Sequence, residues 1–357
     1  MSNTFSFSCG VNHTICISCD GSIFYFGKQE ESVITIPKKL DFSLPIKNVS
    51  CGHSFSVLLD WNGNLWSFGD NSEHQLGLSI DTKFIFSPIQ IEGADNVESV
   101  NCGANHTLFL KENNQLWGFG DNSNFQIGIE DSSAHIKLPQ LVPNVTNVKK
   151  INCGGFHTII QTFNKEIIGF GNDSFGCLGY KYREERVLPT VLSDFPSSVV
   201  SIGCGYIHSV FLLEDGTVYS CGFNDMGQCG HSKQELTKIE GAKDIISIHV
   251  GFSQTILIDK KHNIWGLGYL ISKSTSICSK IKFKNIKQIY NIKFGDGFCI
   301  ISNHKNELFA LSKDNELVGQ ISDECNRKPT KYPQEFIDNL LKPPNSCKKS
   351  ARKVMNK

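Results

Sequence analysis

The sequence predicts an all-β fold, a single seven-bladed β-propeller of about four-stranded blades followed by a short basic C-terminal tail. Three observations carry this prediction: a motif that recurs seven times, a constant spacing inside each copy, and short apolar runs separated by tight-turn residues. A fixed internal period is the signature of an array in which each unit buries its apolar faces against its neighbours.

The first anchor reads C-G-x-x-H-[ST], in Cys9-Gly10 to His13-Thr14, Cys102-Gly103 to His106-Thr107, Cys153-Gly154 to His157-Thr158 and Cys204-Gly205 to His208-Ser209. Three further copies are degenerate: Phe55 stands at the histidine position after Gly52, Gln254 after Gly251 and Phe298 after Gly295. A second anchor ends on glycine, as in Leu65-Trp66-Ser67-Phe68-Gly69 and Leu116-Trp117-Gly118-Phe119-Gly120. From first to second glycine the distance is 17 residues in Gly10/Gly27, Gly52/Gly69, Gly103/Gly120, Gly154/Gly171, Gly205/Gly222 and Gly251/Gly268, and Gly295/Ser312 makes the seventh. Periods between first glycines are 42, 51, 51, 51, 46 and 44, so every length change follows the second anchor.

Within the fixed part, His106 to Leu110 and Gln115 to Phe119 flank Asn113-Asn114, the pattern of a β-hairpin. Asp20-Gly21, Asn62-Gly63 and Asp215-Gly216 mark the same turn in other copies, because these residues tolerate the positive φ that tight hairpins need. A strand before each first anchor, such as Val97 to Asn101, and one after the second, near Leu138 to Val142, complete a blade. Phe24, Trp66, Trp117, Ile168, Tyr219, Trp265 and Phe309 share one register and are expected to pack between blades. An open array would leave both end blades uncovered, so the copies are expected to close into a ring. The expected closing partners are Thr4 to Ser8 and the chain beyond Val318, with the propeller spanning 1–327 and a partly flexible basic extension spanning 328–357.

Composition narrows the function classes. With 35 basic and 35 acidic residues the chain has a formal net charge of zero, which argues against a surface built to coat a polyanion. Met1 to Ser8 has no basic start and no apolar stretch, and no window approaches a membrane span, so a cytoplasmic or nuclear monomer is expected. Five of the 14 cysteines (Cys9, Cys51, Cys102, Cys153, Cys204) sit at one repeat position, which reads as buried packing thiols and not as a disulfide framework.

The alternation of C-G-x-x-H-T with Trp66-Ser67-Phe68-Gly69-Asp70-Asn71 running to Gln75-Leu76-Gly77 resembles the repeats of the regulator of chromosome condensation family, from Phe5 to about Gly319. The resemblance implies the propeller, and leaves activity open between Ran nucleotide exchange, ligase-associated modules, ciliary scaffolds and a plant light receptor. An exchange factor of this family carries acidic side chains between the repeat glycine and histidine, and a β-wedge. Here those positions are Val11-Asn12, His53-Ser54, Ala104-Asn105, Gly155-Phe156, Tyr206-Ile207, Phe252-Ser253 and Asp296-Gly297, with Asp296 the sole acid and no wedge-sized insertion. The light receptor uses clustered tryptophans, whereas Trp66, Trp117 and Trp265 share the core register and Trp61 lies elsewhere.

His13, His106, His157 and His208 lie on different blades and lack the second ligand pair of a tetrahedral zinc site, so they read as structural hydrogen-bonding groups; neither metal nor cofactor is expected. Loops at one end of every blade gather on one ring face, where Phe156, Tyr206, Ile207 and Phe252, with Asp296, are the candidate partner-binding residues. Local packing under the loops is the competing explanation for these apolar side chains. Residues 328–357 hold eight basic side chains against Glu335 and Asp338, so an acidic propeller precedes a basic tail. Lys348, Lys349, Arg352 and Lys353 suit an import signal, a nucleic-acid arm or a contact with anionic membrane, and equally a solvated terminus. The resulting expectation is a non-enzymatic scaffold that binds a protein partner, a small GTPase or its regulator, through one ring face. The alternative is a guanine nucleotide exchange factor for a Ran-like small GTPase.

Overall fold

A computed structural model describes residues 6–331, apart from 18–20, 30–31, 132, 181–184, 271–272, 282–288, 296–297, 304–307 and 313–329. Its described strands pair into seven four-stranded antiparallel sheets, each built from consecutive strands. The third is typical, with Val97–Cys102 innermost, then His106–Lys111, Leu116–Asp121 and His135–Leu141 outermost. The protein is an all-β propeller, and the innermost strands of all seven sheets line one central cavity.

The constant 17-residue spacing is a hairpin register. His106 faces Gly120 and Phe109 faces Trp117, and the same pairing sets His13 opposite Gly27, Phe55 opposite Gly69, His157 opposite Gly171 and His208 opposite Gly222. Gly120 has φ of +101° and sits in a register shift between the third and fourth strands. A Cβ there would come within 2.5 Å of the Asn105 carbonyl oxygen, so the second anchor requires glycine for both its conformation and its contact.

The second strand of each blade is covered on both faces, as in His157–Thr162, where every residue is buried. That explains its continuous apolar pattern without alternation. The core is a series of layers between blades: Leu108, Leu110 and Leu116 of the third blade pack with Ile151, Ile160 and Phe170 of the fourth. Farther round, Ile159 and Ile167 meet Ile202, Phe211 and Leu213. Every blade therefore depends on its neighbours for burial.

Several expectations are corrected. Trp66, Trp117, Ile168, Tyr219 and Trp265 do pack against these layers but are only partly buried. The deepest register lies two residues later, at Phe26, Phe68, Phe119 and Phe170. Each indole's edge reaches the blade margin: Trp66 Nε1 donates to Asp60 at 3.1 Å and Trp265 Nε1 to Asp259 at 3.2 Å, while Lys111 replaces the acid beside Trp117 and lies 4.7 Å from its ring centre. Among the described residues the ends do not close by pairing with each other. Ser6–Cys9 pairs with His13–Ile17 in its own blade, and the last sheet's outer strand is Thr330–Lys331, paired with Leu308–Ser312. The first and last blades instead meet through their innermost strands, Ser6–Cys9 against Ile289–Phe294. Thr330–Lys331 also carries the last blade past the expected boundary at 327.

Candidate protein-binding face

The two residues between first-anchor glycine and histidine are fixed in number but free in identity, and their backbone explains why. In the six described pairs the first residue joins a belt around the channel mouth. Val11 N–H donates to His53 O at 3.1 Å, His53 to Ala104 at 2.9 Å, Ala104 to Gly155 at 3.2 Å, Gly155 to Tyr206 at 2.8 Å and Tyr206 to Phe252 at 3.1 Å. At the second residue the carbonyl accepts from the residue after the second-anchor glycine: Asp70 N–H to Ser54, Asp121 to Asn105, Asn172 to Phe156, Phe223 to Ile207 and Tyr269 to Ser253. Both loops of a blade are thereby held at the same end of the ring. Their backbone hydrogen bonds carry the loop geometry, whatever side chain each position holds.

Beneath this belt the histidines bond across blade boundaries. His13 Nε2 lies 2.9 Å from Ser56 Oγ, His106 3.2 Å from Thr158 Oγ1, His157 2.9 Å from Ser209 Oγ and His208 3.1 Å from Thr255 Oγ1. Thr158, Ser209 and Thr255 spend their hydroxyl protons on the carbonyls of Gln126, Cys177 and Gln228. Nε2 must therefore carry the proton in His106, His157 and His208. Burial holds all four rings well below the ordinary histidine value, to about 3 for His106 and His208 and about 4 for His13 and His157. Neutral, buried and committed to a hydroxyl, these rings are structural.

The repeated cysteines form a parallel ladder. Sγ of Cys51, Cys102, Cys153 and Cys204 donates to the carbonyls of Ser8, Ser50, Asn101 and Asn152 on the preceding blade at 3.4 to 3.5 Å. All are free thiols, and burial pushes Cys51 up to about 11 and Cys102 and Cys204 to about 12.

Three of the candidate partner-binding residues come together. Phe156 and Tyr206 meet edge to face with centroids 5.1 Å apart, and Tyr206 stacks on Phe252 at 4.1 Å with planes 19° apart. Tyr206 also lies over Gly155, where a Cβ would be 2.5 Å from the Tyr206 carbonyl. All three rings and Ile207 are half-buried, so packing accounts for one side of each. Ile207 holds Phe223 through its carbonyl, which accepts the Phe223 N–H. Asp296 and the tail residues Lys348, Lys349, Arg352 and Lys353 lie outside the described residues.

A second aromatic pair was missed by sequence reasoning. Phe175 and Phe223 meet edge to face at 5.4 Å, with Phe175 42% and Met226 43% exposed beside them. Phe175 and Met226 each stand four residues after a second-anchor glycine, a register that could have been read in the same way. The opposite arc of the same ring end is polar, with Asn12, Ser54, Asp70, Glu73 and Asn105 at corresponding loop positions.

The RCC1-like domain family model matches residues 2–301. The chain belongs to that family. Among RCC1-like relatives, it is 26% identical over 287 residues to the ultraviolet-B receptor UVR8 of Arabidopsis thaliana, covering 74% of this chain and 65% of the receptor. It is 30% identical over 214 residues to human protein RCC2, covering 52% of this chain and 41% of that protein. The chain thus spans less than two thirds of the length of either relative. The RCC1-like fold is seen again in human WBSCR16, with a TM-score of 0.74 at 19% identity covering 86% of each chain. Prp20p of Saccharomyces cerevisiae, described with its binding to Gsp1p and histones, gives 0.71 at 20% identity and covers 94% of this chain and 84% of that one.

Proposed function

We propose that this RCC1-like propeller is a non-enzymatic interaction scaffold that holds a protein partner, a small GTPase or its regulator, on the ring end that carries the aromatic arc. The observation that carries this reading is the contiguous run Phe156, Tyr206, Phe252 at the channel mouth, with Phe175, Phe223 and Met226 outside it on the same blades. Half-buried aromatic side chains on a fixed backbone lose little conformational entropy when covered, which makes them effective anchors. A Ran-family GTPase is the first partner to test, because Prp20p, of the same fold, is described with binding to Gsp1p. The basic segment Lys348, Lys349, Arg352 and Lys353 is proposed to add a salt-sensitive contact with import machinery, nucleic acid or anionic membrane.

The test measures binding of a Ran-type GTPase, nucleotide-loaded and nucleotide-free, to wild type and to Phe156→Ala, Tyr206→Ala and Phe252→Ala. Stoichiometric binding that falls about thirtyfold in at least one variant, without faster nucleotide release, supports the scaffold. Accelerated release by catalytic amounts of protein would establish the exchange-factor reading instead. Binding equal in all four proteins removes the aromatic arc as the site.

A further inference from the structure

The central channel has a wall chemistry independent of the aromatic rim. One residue per blade, immediately before the first anchor, points its register into the cavity: Ser8, Ser50, Asn101, Asn152, His249 and Lys293, with Gly203 in the remaining blade. On one arc each side-chain oxygen already accepts one backbone N–H from the next blade. Cys51 N–H donates to Ser8 Oγ at 3.1 Å, Cys102 N–H to Ser50 Oγ at 2.9 Å and Cys153 N–H to Asn101 Oδ1 at 2.9 Å. Their donors, two hydroxyl protons and the Asn101 amide NH2, are free to face the cavity. Next to Ser8 across the junction of first and last blades lies Lys293, whose charge is close enough to lower the Cys9 and Cys51 thiols against the stronger opposing effect of burial. No aspartate or glutamate is among the described residues that line the cavity, whose volume is about 290 Å³.

We propose that this channel is a binding site for a small polyoxyanion, a free phosphate-type or polycarboxylate ligand, held by Lys293 with Ser8, Ser50 and Asn101. Consecutive blades supply a cation and then three donor groups around one arc, an arrangement that suits oxygens of like charge. The inter-blade bonds to these oxygens hold the side chains in place, so the wall is organised before the ligand arrives.

Sodium pyrophosphate and citrate are the probes, titrated calorimetrically at fixed ionic strength against sodium chloride. One saturable site per chain is expected, and preference between the two probes identifies phosphate or carboxylate as the group recognised. Lys293→Gln removes the charge. Asn101→Asp keeps the acceptor for Cys153 N–H while replacing the NH2 donors with an anion. Each should weaken binding about tenfold or more, the worth of one charge-assisted hydrogen bond. A full-length variant with Lys348, Lys349, Arg352 and Lys353 all changed to Gln should bind as wild type. If Asn101→Asp lowers the melting midpoint, Lys293→Gln alone decides. A non-saturable response, an unchanged affinity in Lys293→Gln, or loss confined to the tail variant overturns the proposal.

Discussion

His106 of the third blade donates through Nε2 to Thr158 Oγ1 of the fourth at 3.2 Å, and Thr158 passes its own proton to the Gln126 carbonyl at 2.8 Å. This relay ties an inner loop, the next blade's second strand and an outer loop into one unit. It recurs at His157 with Ser209 and Cys177, and at His208 with Thr255 and Gln228.

Phenylalanine stands at the histidine position in the second and seventh blades, where the Phe55 and Phe298 rings occupy the same place over Gly52 and Gly295. His106→Phe should therefore lose one hydrogen bond and keep the packing, at a cost of about 1 kcal/mol in chemical denaturation. His106→Ala leaves a cavity as well and should cost about 3 kcal/mol. Equal losses in the two variants would show that the ring's volume contributes nothing.

The histidines also set an acid limit. Burial lowers their folded values to about 3 or 4 from an ordinary 6.5, so the unfolded chain takes up protons first as pH falls. Their contribution is complete above about pH 6.5 and declines as pH drops from there toward about 4. Denaturation midpoints measured between pH 7.5 and 5 should fall steadily in wild type, and less steeply when His157 is changed to Phe. An identical slope in the two proteins would contradict the assignment.

Glycine at the first anchor is required by contact. A Cβ on Gly103 would lie 2.0 Å from His106 Cε1 and 2.5 Å from the Gly154 carbonyl oxygen of the next blade. Gly103→Ala should destabilise by about 3 kcal/mol, because neither ring nor neighbouring backbone has room to move. Gly93 offers the control: its φ is +78° but nothing lies within 4 Å, so Gly93→Ala should cost about 1 kcal/mol, from backbone strain alone. Thermal melts of the two proteins check the difference.

The channel thiols should be inert in the folded protein. Burial pushes Cys102 and Cys204 to about 12 from the ordinary 9.0, so at pH 8 each is ionised on the order of a thousandfold less than a free cysteine. Alkylation with iodoacetamide, followed site by site by mass spectrometry, should label them slowly in native protein and rapidly in denaturant. Native labelling of Cys102 at the denatured rate would refute this.

The sequence by itself determined everything that repeats. The spacing of 17 residues became the pairing of His106 with Gly120, the seven copies became seven four-stranded sheets, and the recurring cysteines became packing thiols, because each is a local requirement of one blade stated several times. Only the tertiary structure decided what happens between blades. Thr158 answers His106 from the next copy, Tyr206 stacks on Phe252 rather than facing solvent alone, Ser6–Cys9 stays in its own sheet, and the side-chain oxygens of Ser8, Ser50 and Asn101 each accept a backbone N–H from the next blade. The physical reason is that periodicity records what every unit shares, whereas a contact across a blade boundary depends on the angle and distance between two units that no spacing encodes.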